Sequence, residues 1–130
     1  RPRHFRGDVK IRFNSVVTDN KASIKLGDGS HSIADISIFT YGNILVRLTS
    51  GSTYIWDNGG TADVQINSHN HLDNSDPGFI DIGNGDLHLT TPASWAVSAV
   101  SGAPSFPEVD VDGQSRSNGS QYAGADDPDA

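Results

Sequence analysis

Ile36-Ser37-Ile38-Phe39-Thr40-Tyr41-Gly42-Asn43-Ile44-Leu45-Val46-Arg47-Leu48 is the stretch that decides how this chain is read. Ile36 and Ile38 flank Ser37, Tyr41-Gly42-Asn43 interrupts, and Ile44, Val46 and Leu48 then alternate with Leu45 and Arg47. A period of two over three to five residues marks a strand with one buried face. Gly and Asn supply the positive φ of a sharp corner. The stretch therefore predicts a short strand, a corner and a second short strand.

The same grammar extends in both directions. Val9, Ile11 and Phe13 alternate with Lys10 and Arg12, and Ile24 and Leu26 flank Lys25. Downstream, Tyr54 and Trp56 alternate with Thr53 and Ile55, Val64 and Ile66 flank Gln65, Ile80 and Ile82 flank Asp81, and Leu87 and Leu89 flank His88. The segments begin at intervals of roughly 7 to 16 residues, a spacing typical of all-β domains. Between them lie Asp19-Asn20, Gly27-Asp28-Gly29, Asp57-Asn58-Gly59-Gly60 and Gly83-Asn84-Gly85-Asp86. A sandwich uses the same pattern. The short strands, the Asn/Asp/Gly corners and an echo of Ile11–Ser15 about 25 residues on at Ile36–Thr40 favour a right-handed parallel β-helix of about five or six coils.

Bulk composition agrees with a folded β domain. The 130 residues are 35% hydrophobic and 19% charged, with Gly 14 and Pro 6, which is too apolar and too weakly charged for a disordered acidic chain. Cys is absent, so disulfides, thiolate metal sites and a Cys nucleophile are excluded. No window is long and apolar enough to enter a membrane. Met is also absent, and with no signal peptide at its start the chain reads as a processed or excised piece of a longer product.

The net charge of −7 disfavours nucleic acid, anionic membranes and polyanionic glycans as generic partners. It is unevenly spread. Arg1, Arg3, Arg6, Lys10 and Arg12 stand against Asp8 in residues 1–12, a net of +4. Glu108, Asp110, Asp112, Asp126, Asp127 and Asp129 stand against Arg116 in residues 101–130, a net of −5. In a linear fold that gradient would suit head-to-tail contact between sister subunits.

A family resemblance appears towards the end of the chain. Asp76-Pro77-Gly78-Phe79-Ile80-Asp81 followed by Asn84-Gly85-Asp86-Leu87-His88-Leu89 resembles the closing coil of pectate-lyase-like right-handed β-helix proteins. Val109-Asp110-Val111-Asp112-Gly113-Gln114-Ser115-Arg116 and Ala123-Gly124-Ala125-Asp126 are similar to the ending of the same proteins. Pro92-Ala93-Ser94-Trp95-Ala96-Val97 departs from the segment usual between the two blocks. The resemblance implies a secreted, extracellular protein, frequently a polysaccharide lyase or a glycan-binding β-helix. The change to an Ala/Ser/Pro-rich composition after residue 90 places coils in residues 1–90 and a C-terminal arm, cap and tail of the same domain in residues 91–130, the extended arm spanning 91–107.

Candidate chemistry follows from residue type and spacing. Lys10, Arg12, Lys25 and Arg47 face outward from their strands and would form a basic stripe for a uronate if those strands stack in register. Tyr41, Tyr54 and Trp56 offer a stacking strip for a sugar, against the favoured and blander reading that they pack inside the solenoid. His69 and His71, two apart, would point the same way on a strand and with Asp73 could ligate a transition metal. Asp110 and Asp112 resemble the first half of a Ca²⁺ loop, but the twelfth position is Gly119 rather than Glu, so an EF-hand is rejected. An acid-rich Ca²⁺ site there is the one cofactor left open, against the blander reading that Asp110 or Asp112 pairs with Arg116. No Gly-x-Ser-x-Gly elbow or phosphate loop is present. The sequence thus favours a non-catalytic scaffold or interaction module, binding polysaccharide or assembling head-to-tail. The alternative is the C-terminal fragment of a polysaccharide lyase or other glycan-active enzyme.

Overall fold

The structure is a computed structural model that describes residues 7–26, 36–49, 51, 53–57, 64–90, 93–103, 106–116 and 121–129. The strands are β1 (Gly7–Arg12), β2 (Ser15–Thr18), β3 (Ile24–Leu26), β4 (Ile36–Tyr41), β5 (Ile44–Arg47), β6 (Ile55–Asp57), β7 (Val64–Ser68), β8 (His71–Asp73), β9 (Phe79–Asp81) and β10 (Asp86–Leu89). Among the described residues the one α-helix, α1, spans Ser94–Ala99.

Apart from β9 and β10, the strands pair across the chain rather than with their neighbours in sequence. β1, β4 and β7 form one parallel sheet, β2, β5 and β8 a second, and β3 with β6 a third, while β9 and β10 pair antiparallel. In register, Ile11 faces Thr40 and Ser15 faces Ile44.

One corner is built three times. Phe13, Gly42 and His69 all have positive φ (54°, 72° and 57°), and each is followed by an Asn. The three Asn side chains hydrogen-bond in a column. The Asn14 N–H donates to Asn43 Oδ1 at 2.9 Å, and the Asn43 N–H donates to Asn70 Oδ1 at 3.0 Å. Asn43 Nδ2 also donates to Ile11 O and to Asn70 Oδ1, and Asn70 Nδ2 donates to Thr40 O, each at 3.0 Å. Asn43 is fully buried, so its amide satisfies backbone groups that water cannot reach. The column fixes the angle between the β1-β4-β7 and β2-β5-β8 sheets.

The core lies against this corner. Phe13, Tyr41, Ile44 and Val46 pack with Phe79, Leu89, Ala96, Val100 and Tyr122. As the central strand of its sheet, β5 is buried on both faces, Leu45 included. The C-terminal segment closes the core. The Gly124 N–H donates to Gly42 O at 2.7 Å, the Ala125 N–H to Ser15 Oγ at 3.1 Å, and the Ala123 N–H to Ala96 O at 3.0 Å.

This arrangement corrects the expected all-β right-handed parallel β-helix of five or six coils. The described strands form separate small sheets of two or three strands, parallel and antiparallel, not one continuous solenoid. Two features explain the difference. Parallel partners sit 29 and 27 residues apart at the Asn14–Asn43 and Asn43–Asn70 contacts, farther than the expected echo of about 25. The segment expected as a closing coil is instead a hairpin, reversed by the 3-10 turn Ile82–Asn84 and by Gly85 at φ 78°. The echo of Ile11–Ser15 also lies four residues beyond the expected Ile36–Thr40, since its partner stretch is Thr40–Ile44. The arm expected to be extended holds α1, whose short run buries Ala96 beside Ala93 and Val100. Among the described residues no helix is long and apolar enough to cross a membrane.

Candidate functional site

The four basic residues expected to form one stripe are divided among three sheets. Lys10 and Arg12 lie on β1, Lys25 on β3 and Arg47 on β5. Lys10 is exposed and Arg12 half-buried. Lys25 and Arg47 nevertheless meet. They line a cavity of about 680 Å³ together with Asn20, Lys21, Ala22 and Thr53. Three of those six residues are basic, and none is acidic.

Arg47 holds the walls of this cavity together. Its Nη1 donates to Thr53 O at 3.1 Å and its Nη2 to Asn20 O at 2.9 Å, which ties the β2–β3 loop to the segment entering β6. Asn74 Nδ2 donates to the carbonyls of Arg47 and Thr49 at 3.0 and 3.1 Å and buttresses the segment that leaves β5. Arg47 has no carboxylate partner among the described residues, so its charge remains available to an anion. A Cβ at Gly51 would lie 2.6 Å from Arg47 Cζ, so a larger residue there would displace the guanidinium.

Thr53 also borders a second cavity of about 410 Å³, lined by Tyr54, Ile55, Ser68, His69, Asn70 and Leu72. Tyr54 is only 9% exposed, and its carbonyl accepts the Ile24 N–H. It therefore packs the β3-β6 sheet more than it offers an open face. The backbone of Trp56 pairs with Lys25, and its side chain lies outside the described residues. Arg1, Arg3 and Arg6 of the basic segment also lie outside them.

His69, His71 and Asp73 are not brought together as a trio. His69 occupies the positive-φ corner between β7 and β8, so it does not share a strand with His71. Its Nδ1 contacts Ser68 Oγ at 3.0 Å. His71 Nε2 lies 3.3 Å from Asp73 Oδ2, and its ring packs on Trp95 with centroids 4.4 Å apart. Burial raises the Asp73 carboxyl, but hydrogen bonds from Ser75 and His71 outweigh it and the net shift is downward.

A denser polar group forms where the C-terminal segment meets β10. His88 Nδ1 lies 2.6 Å from Asp86 Oδ1, and Nε2 lies 2.8 Å from Asp112 Oδ2. The Asp86 bond first, then that to Asp112, lifts His88 to about 9, while His88 pulls Asp86 down. Asp126 is 5% exposed and accepts the Leu89 N–H at 2.7 Å. Burial raises its pKa, opposed by that hydrogen bond and by His88.

Asp110 organises the adjacent turn by accepting the N–H groups of Asp112 and Gln114 at 3.0 and 2.9 Å through Oδ1. Arg116 does not form the hydrogen-bonded pair expected with Asp110 or Asp112. Its guanidinium donates to the carbonyls of Val109, Tyr122, Gly124 and Ala125. Burial lowers its pKa against the fields of Asp127, Asp110 and Asp126.

Sequence reasoning does not single out Lys21, Asp86, His88 or Asp126. Lys21 sits outside any alternating segment, and His88 has the look of an ordinary strand residue between Leu87 and Leu89. Asp112 lies 24 residues from His88, with no local spacing to link them. No protein-family model, curated protein or solved structure matches this chain.

Proposed function

We propose that this chain is a non-catalytic extracellular module that binds an acidic polysaccharide in the Lys21–Lys25–Arg47 cavity. The observation that carries the reading is the lining of that cavity, where three of the six described residues are basic and none of them is acidic, in a chain of net charge −7. Random placement of a scarce positive charge would scatter it over the surface. Here it converges on a concavity of about 680 Å³, within the usual range of roughly 300–1,000 Å³ for small-ligand sites.

Arg47, positioned by two carbonyls, is suited to hold a uronate carboxylate. Lys21 and Lys25 add flexible charge at the rim. The loop carbonyls and Thr53 offer further polar partners for hydroxyl groups. Action outside the cell rests on the resemblance of residues 76–126 to secreted polysaccharide-active proteins.

The test is isothermal titration of the chain with oligogalacturonate and oligoalginate at low and high salt. Binding should weaken as salt rises, because the lysine charges face solvent. K21Q/K25Q should weaken it about tenfold. Failure to bind either glycan at low salt, or equal binding by the double variant, defeats the proposal. Rising ultraviolet absorbance during the titration would instead mark β-elimination and turn the reading to a lyase.

A further inference from the structure

We propose that His88, Asp112 and Asp126 bind a divalent first-row transition ion, with Asp86 as the carboxylate that orients the imidazole. One ligand atom from each of the three residues lies within 4.8 Å of the other two. They come from three separate parts of the chain, namely β10, the turn after Asp110, and the stretch following Gly124. An ion held there would fasten the C-terminal segment to the β9-β10 hairpin.

The outer arrangement has the form expected around a metal-bound histidine. Asp86 Oδ1 holds Nδ1 at 2.6 Å, and this turns Nε2 towards Asp112. A ligating imidazole nearly always gives its other ring nitrogen to a carboxylate or carbonyl in this way.

Independent support comes from Asp126, which is almost wholly removed from solvent at 5% exposure. One of its oxygens accepts the Leu89 N–H. Asp126 lines a cavity of about 260 Å³ together with His88, Asp112 and Gln114. Asp110, in the same turn, is 7% exposed, and its Oδ2 is buried without a hydrogen-bond partner. Asp110 and Asp112 both press electrostatically on Asp126. The region thus gathers Asp86, Asp110, Asp112, Asp126 and Asp127 around one imidazole and the Arg116 guanidinium. Arg116 directs its donors to backbone carbonyls, and Asp112, Asp126 and Asp127 line the cavity with His88.

The donor set selects the class of ion. Ca²⁺ and Mg²⁺ take oxygen ligands almost exclusively, whereas imidazole combined with carboxylate suits Zn²⁺, Mn²⁺ and Co²⁺. The site is distinct from the His69–His71–Asp73 stretch and from the basic cavity, so its fate does not depend on glycan binding.

The test is titration of Zn²⁺ into the metal-stripped, tag-free chain, followed by calorimetry and by thermal unfolding. One ion should bind per chain. At a free concentration about a hundred times the dissociation constant, the melting temperature should rise by roughly 5–10 °C. H88Q and D112N should each abolish uptake and the thermal shift. D86N should weaken binding by about 10–100-fold. H71Q should leave it intact. Asp112 has a half-exposed side chain, so D112N keeps the fold even if H88Q does not. Absence of uptake by the wild-type chain, uptake unchanged in D112N, or uptake lost in H71Q would overturn the proposal.

Discussion

Replacing Gly124 by Ala should cost far more than the loss of a glycine normally does. Gly124 has φ +87°, and a Cβ there would lie 2.5 Å from Ile44 Cδ1 and 2.6 Å from Ser15 Oγ. Two terms add. Holding a non-glycine residue in the left-handed region costs about 1–2 kcal/mol. Forcing a methyl group into a filled core costs about 1–3 kcal/mol more. Neither neighbour can yield cheaply, because Ile44 is fully buried and Ser15 Oγ holds the Ala125 N–H at 3.1 Å. We expect a total near 3 kcal/mol, a large share of the stability of a domain this size. Gly85 separates the terms, since it has φ +78° and a methyl group added there would meet nothing within 4 Å. G85A should therefore cost only about 1 kcal/mol. Urea unfolding followed by tryptophan fluorescence measures both variants. Equal destabilisation, within about 0.5 kcal/mol, would show that Gly124 does not plug the core as described.

Further outcomes follow from other parts of the structure. N43A removes both donors and the acceptor at the centre of the corner column, leaves Ile11 O without its side-chain donor, and should lower unfolding stability by about 2–4 kcal/mol in urea. R116K keeps the charge but cannot reach four carbonyls from one ammonium, and should lose about 2–3 kcal/mol in the same assay. Tyr122 donates its hydroxyl to Asp129 at 2.6 Å, and this bond, together with burial, raises its pKa to about 12. The neutral phenol is the favoured form in the folded state, so its contribution is complete below pH ~10 and lost as pH rises through about 12. Melting temperatures across that window should fall more steeply for the wild-type chain than for Y122F.

Local structure is more legible in the sequence than pairing. Alternation locates β1, β4, β5 and β10, because each has two or three apolar residues at period two. It fails where burial is not one-sided. Alternation turns Leu45 outward, but it is fully buried in the central strand. Ile80, flanking Asp81 on the expected inward face, is 58% exposed because Phe79 takes the core position. The repeat is visible in outline, yet its offset is not. Apolar residues alone allow many offsets for Ile11–Ser15, and it is the Asn14–Asn43–Asn70 column that sets the true one. α1 leaves no signal because six residues give too little length for a helical period.

Of the candidate sites, Lys25 and Arg47 stand out by their outward positions, but their convergence depends on loops outside the strands. Asp112 stands out for its acidic turn. Its partner His88 is hidden, because the link between them is made only when the C-terminal segment folds back on β10.

The bond from Ala125 to Ser15 joins positions 110 residues apart in the chain. On the ribosome, the corner around Phe13 and Gly42 must wait half-finished until almost all of this sequence has emerged. Contacts between positions so far apart slow folding, and until the C-terminal stretch docks, the core face that Tyr122 and Ala123 cover stays open to solvent.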